Sequence, residues 1–196
     1  MRKTIAAVGI ALIIAAFAAC EREENEGEEG VAMSYSQGAK PSAWVETLSG
    51  YLPALGHRNW IVVADSAFPL QISPGIETIV TGQDHFAVLK KVLEMVDGAK
   101  HIKPKIWLDK ELAYVPETLT PGADDARRRL DEMLQGRGAA SMLHADLIAR
   151  LDEVGRTFKI VMVKTTLTVP YTSVFMELDC GYWGPEAEAE MRERMK

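Results

Sequence analysis

The 196-residue chain predicts a single α/β domain with a mostly parallel sheet flanked by helices. Three observations lead there. Short apolar runs rich in β-branched residues, above all Trp60-Ile61-Val62-Val63-Ala64, are too brief for helices and too continuously apolar for strands with one wet face. Longer stretches with apolar residues at three- and four-residue spacing alternate with them. The composition, 47% hydrophobic and 26% charged, is that of an ordinary globular protein.

Each element follows from local chemistry. Ser42 caps a helical stretch carrying Trp44, Val45, Leu48, Leu52 and Leu55, weakened midway by Gly50 and Pro53. Trp60–Ala64 is a strand buried on both faces. A turn-rich segment with Pro69 and Pro74 leads to a second strand, Ile76–Val80. Asp84 opens a helix through Phe86, Leu89, Val92, Leu93 and Val96. Residues 105–108 and 112–115 are short strand candidates. Thr120-Pro121 supplies a capping hydroxyl and a proline for a helix reaching Gln135. Its three arginines, Arg127 to Arg129, fall mostly on the solvated side, and Gly136-Arg137-Gly138 breaks it. His144–Val154 is an amphipathic helix through Leu147, Ile148 and Leu151, ended by Gly155. Residues 158–163 and 174–178 are the last strands, and residues 186–196 a charged terminal helix or a frayed tail.

The N-terminus reads as an address and a tether. Arg2 and Lys3 precede a 16-residue uncharged run, Thr4 to Ala19, closing in Ala18-Ala19 before Cys20. A basic start, a short apolar core and small residues before a cut site describe a signal peptide, and the run is short of the ~20 residues that a membrane span needs. Phe17-Ala18-Ala19-Cys20 resembles a bacterial lipobox, although leucine is usual where Phe17 stands. The resemblance implies a lipoprotein signal at 1–19 and lipidation of Cys20, in the cell envelope. A plain signal peptide or an uncleaved anchor are the alternatives. Residues 21–30 hold six Glu, one Arg and two Gly with nothing apolar, so a solvated tether is expected over 20–40 and the folded domain over 41–196.

Charge and motifs exclude much. With 28 acidic against 22 basic residues, the chain lacks the clustered cations of a nucleic-acid partner. Two cysteines make neither a disulfide scaffold nor an all-cysteine zinc site; with Cys20 lipidated, Cys180 is expected to be a small buried hydrophobe. No phosphate loop, dinucleotide fingerprint, zinc-protease motif or nucleophile elbow occurs. His57, His85, His101 and His144 show no ligand spacing, so no metal site is expected. His85 and His101, at helix margins, are expected at the surface. His57 and Asp65 flank the most apolar strand. An extended chain sets them roughly 26 Å apart, so a site using both needs a folded-back loop or a neighbouring subunit; a polar helix-to-strand turn is the plainer alternative.

Residues 55–69, Leu-Gly-His-Arg-Asn-Trp-Ile-Val-Val-Ala-Asp-Ser-Ala-Phe-Pro, resemble the N-terminal signature of the D-ribose pyranase / L-fucose mutarotase (RbsD/FucU) family. That signature has Gly-His, Asp eight positions on and Pro four beyond, as His57, Asp65 and Pro69 do. Near the other end, Tyr171-Thr172-Ser173 stands where the family has Tyr-x-Asn before an apolar strand. The resemblance spans about 140 residues. It implies an RbsD-like fold and interconversion of monosaccharide ring forms or anomers without a cofactor. It also implies high-order homo-oligomers with sites between subunits. Carried over, His57 is the acid/base, Asp65 and Tyr171 contact the sugar, and Ser173 and His144 are further substrate-binding candidates. A histidine suits proton exchange near neutrality. Two departures stand out: Asn59 replaces a usual Asp, and Ser173 the Asn of the motif. A weakly catalytic sugar-binding lipoprotein and an oligomeric scaffold are therefore the competing readings. Trp60, Trp107, Tyr182 and Trp183 are candidates for stacking on a sugar face, or ordinary core aromatics.

Overall fold

The computed structural model describes residues 43–196; Ser42, Cys20, the leader and the tether lie outside the described residues. Helix α1 (Ala43–Tyr51) runs into a 3-10 turn and then β1 (Trp60–Ala64). There follow β2 (Ile76–Val80), α2 (His85–Gly98) and β3 (Ile102–Asp109). Helix α3 (Ala123–Leu134), β4 (Ala140–Met142) and α4 (His144–Val154) come next. The chain closes with β5 (Ile160–Lys164), β6 (Val174–Cys180) and α5 (Pro185–Arg194).

The six strands form one sheet in the order β2-β5-β1-β6-β3-β4. All neighbours pair in parallel except β6, which is antiparallel to both β1 and β3. Side chains alternate across it. Ile61, Val63, Val161, Val163, Val174 and Met176 pack under α1, α2 and α3. Trp60, Val62, Ile160, Met162 and Phe175 pack under Leu147 and Leu151 of α4. With layers on both faces β1 is buried throughout, which is why its sequence is unbroken apolar; each such side chain contributes roughly 1.5–3 kcal/mol.

Several expectations are corrected. Residues 112–115 are not a strand: Lys110–Tyr114 forms a 3-10 turn, and β3 is instead longer, starting at Ile102. The three-residue edge strand β4 follows the glycine break. Helix α3 begins at Ala123 with Gly122 at φ 95°, and its cap is the Glu117 carboxylate, accepting from Gly122 N–H at 2.7 Å and Asp124 N–H at 2.8 Å. The Thr120 hydroxyl does not cap it. Arg127 turns inward to donate to the Leu112 and Val115 carbonyls. Cys180 is half-buried rather than buried. Among the described residues no helix is long and apolar enough to cross a membrane.

Candidate functional site

Five strands point the same way, so their carboxyl ends converge on one edge, where α/β sheets characteristically receive ligands. Asp65 follows β1, Asp109 ends β3, His144 opens α4 just after β4, and Tyr171 to Ser173 lead into β6. The fold gathers residues spread over 108 positions, from Asp65 to Ser173.

Asp65 is buried and held on every side. Its Oδ1 accepts from Ala67 N–H at 2.9 Å and its Oδ2 from the Ser173 hydroxyl at 2.9 Å. Ser173 Oγ accepts in return from Asp65 N–H at 3.1 Å. Ser173 is itself fully buried, so its hydroxyl is committed to orienting Asp65.

His144 is the first residue of α4. Leu143 at the cap position has no side-chain acceptor, and Glu111 from the 3-10 turn fills that role, both oxygens lying 3.0 Å from His144 N–H. The ring is hydrogen-bonded through Nδ1 to Asp109 Oδ1 at 2.9 Å. It stands edge-on to Tyr171 (5.4 Å between centroids) and to Phe68 (6.2 Å). The His144 side chain keeps 32% exposure while that of Asp109 has none. Burial pushes the Asp109 carboxyl up to about 6, against the pull of His144 and with help from Glu111 and Asp65. Tyr171 has φ 63°, a left-handed backbone that costs a non-glycine residue about 1 kcal/mol or more; the ring it places beside His144 is the visible return.

His85, expected at the surface, is fully buried at the start of α2. Its Nδ1 donates to Thr165 Oγ1 at 3.0 Å, which donates to the Ala64 carbonyl at 2.8 Å. Burial lowers its pKa to about 4, opposed by the Asp65 and Asp84 charges. His101 is half-buried, and its Nε2 donates to the Leu52 and Leu55 carbonyls.

His57 lies before β1, at the opposite end of that strand from Asp65. It is 59% exposed and hydrogen-bonded to Asp179 at 2.7 Å. Asp179 also meets Lys105 at 2.7 Å, which with the Cys180 N–H holds its carboxyl down at about 2. The Asn59 amide is consumed by the turn, accepting from Gly56 N–H and donating to the Lys159 carbonyl; an Asp could make only the first bond. One chain therefore brings Asp65, Tyr171, Ser173 and His144 together and leaves His57 apart. Asp109 and Glu111 were missed by sequence reasoning. The only signal for Asp109 was an acid closing an apolar strand run.

Of the aromatic candidates, Trp60 is buried core. Trp107 donates to Glu177, which also binds Arg150. Tyr182 and Trp183 are exposed, and Trp183 donates to Glu188. A surface depression of about 400 Å³ between the end of α2 and the start of β3, lined by Asp97, Lys100 and Lys103, shares none of the site residues. Among the described residues, no three His, Cys, Asp or Glu side chains are arranged to hold a metal.

No family model matches the chain, and no curated protein does. Solved structures similar to it include Bacillus subtilis RbsD complexed with D-ribose, at 14% identity and TM-score 0.47, covering 68% of this chain and 91% of that one. The fucose mutarotase of Streptococcus pneumoniae in complex with L-fucose is similar at 16% identity and TM-score 0.47, covering 73% and 98%. FucU from Bifidobacterium longum is similar at 17% identity and TM-score 0.46, covering 68% and 94%.

Proposed function

We propose that this chain is a cofactor-independent monosaccharide mutarotase or pyranase, with its site shared between two copies. The observation that carries the reading is the convergence of a buried carboxylate, Asp65, with the His144–Asp109 pair and the Tyr171 ring at one sheet edge. These are groups that accept, donate and exchange protons with hydroxyls. The sequence signature around His57, Asp65 and Tyr171 supports the same chemistry.

Ring opening moves one proton from the anomeric hydroxyl to the ring oxygen as the bond between that oxygen and the anomeric carbon breaks and a carbonyl forms. Closure reverses it on either face. In this reading Asp65, oriented by Ser173, accepts from sugar hydroxyls. Tyr171 and His144 bound the ring. His57, exposed and a strand's length away, is the acid/base delivered by the neighbouring copy. The same reading takes the chain as a lipoprotein tethered through Cys20 in the bacterial cell envelope, on sequence grounds alone.

The test is saturation-transfer NMR with ribose, fucose, galactose and glucose. Faster exchange for one sugar, lost in His57→Ala, is the expected result. Line broadening without faster exchange means a binding protein, and silence for every sugar removes the reading.

A further inference from the structure

Asp109 has the least support of any acid in the site. Its side chain is wholly buried. Oδ1 shares one hydrogen bond with the His144 ring, and Oδ2 is buried with no partner among the described residues. The charged groups facing it are two more acids, Glu111 from the 3-10 turn and Asp65 after β1, and His144 from α4. A buried carboxylate whose sole donor is one imidazole dictates where that ring carries its proton. Glu111 fixes the other end of the same residue by holding its backbone N–H. The ring is thus clamped at backbone and Nδ1, and Nε2 is left with no protein partner among the described residues on a side chain that keeps one-third exposure.

We propose that Asp109 is the positioning residue of this site: it locks His144 with its proton on Nδ1, so that the Nε2 lone pair is presented to the substrate hydroxyl. The catalytic consequence rests on the reading of the site as a sugar site; the tautomer does not. An ionised Asp109 requires the Nδ1–H form. Once Asp109 takes up a proton at acid pH, the carboxyl no longer requires the Nδ1–H form. Because the carboxyl is held up near 6 by burial, that loss falls in the mildly acidic range.

The experiment is histidine-selective 15N NMR of the full chain and of Asp109→Asn, from pH 8 to 5, alongside sugar-exchange rates. Wild type is expected to show His144 as the single Nδ1–H tautomer above pH 7. Asp109→Asn, whose amide can also donate to Nδ1, is expected to show mixed or Nε2–H tautomers. Its kcat should fall roughly a hundredfold with KM little changed and the acid limb of the pH profile displaced. A wild-type His144 with its proton mainly on Nε2, or a variant with unchanged tautomer and pH profile, overturns the inference. Should the variant not fold, the wild-type tautomer alone decides. Should no sugar exchange in wild type while the tautomers behave as stated, the sugar reading falls and the positioning role of Asp109 stands.

Discussion

Asp109 and His85 show how a buried titratable group writes itself into stability, with opposite signs. The folded pKa of His85 lies near 4 against an ordinary 6.5, so the unfolded chain takes up a proton first as pH falls. Its contribution is full above 6.5 and is lost on the way down to 4, by up to about 3 kcal/mol. Asp109 is raised from 3.8 to about 6, so the folded chain takes up that proton first. Its contribution is full below 3.8 and is lost as pH rises through 6, by a similar amount. The two slopes oppose each other between pH 4 and 6. Asp109→Asn should therefore raise the urea midpoint at pH 7.5 and leave a steeper loss of stability from pH 6.5 to 4. A midpoint that drops at pH 7.5 would contradict this account of Asp109. The site keeps a destabilising acid, the ordinary trade of stability for function.

Between elements, Gly75 brings the loop before β2 close against the end of α4. Gly75 donates to the Gly155 carbonyl at 2.8 Å, and its own carbonyl accepts from Ile160 N–H at 2.9 Å. A Cβ on Gly75 would stand 2.2 Å from the Phe158 carbonyl oxygen and 2.5 Å from that of Gly155. Both obstacles are backbone, so neither can rotate away. Gly75→Ala should cost roughly 2–4 kcal/mol by urea denaturation. Gly50→Ala in α1, where a Cβ meets nothing within 4 Å, should add about 0.5–1 kcal/mol. Equal effects at the two positions would mean that propensity, and not the close approach, governs Gly75.

For the molecule as a whole, the question is whether His57 and the Asp65–His144 cluster ever meet. They sit at opposite ends of β1, and no motion short of unfolding joins them in one chain. A shared site has a plain consequence. His57→Ala and His144→Ala should each be inactive alone, and co-refolding them in equal amounts should restore activity at about a quarter of the sites, those drawing each intact side chain from a different copy. No recovery in the mixture, with both variants folded and assembled, would place a complete site within one chain.

The strand Trp60–Ala64 and the helix His144–Val154 were legible residue by residue, because burial on both faces or on one helical stripe leaves a record in local sequence; the edge strand Ile76–Val80, only partly buried, was legible from its short β-branched run. The Asp84 cap, whose side chain accepts from Ala87 N–H, was legible for the same reason: its partner is three residues away. Position 112 read as a strand because a brief apolar run looks alike in a strand and in a 3-10 turn. The caps of α3 and α4 come from Glu117 and Glu111, and the second of these reaches across 33 residues. Asp65, Tyr171 and Ser173 were named through the resemblance to the pyranase/mutarotase signature, yet the Ser173–Asp65 bond spans 108 residues and the His144–Asp109 bond spans 35.

Sequence by itself therefore determined the layers, the element order apart from the 3-10 turn at 110–114 and the short edge strand β4, and which polar residues flank the buried strands, since those follow from hydrophobic period and local turn chemistry. Only the tertiary structure decided that His144 and Tyr171 join Asp65 at one end of β1, that His85 is interior, and that Asp109 stands behind His144. Strand order and direction in the sheet set which loops share an edge, and burial there sets which acids hold their protons.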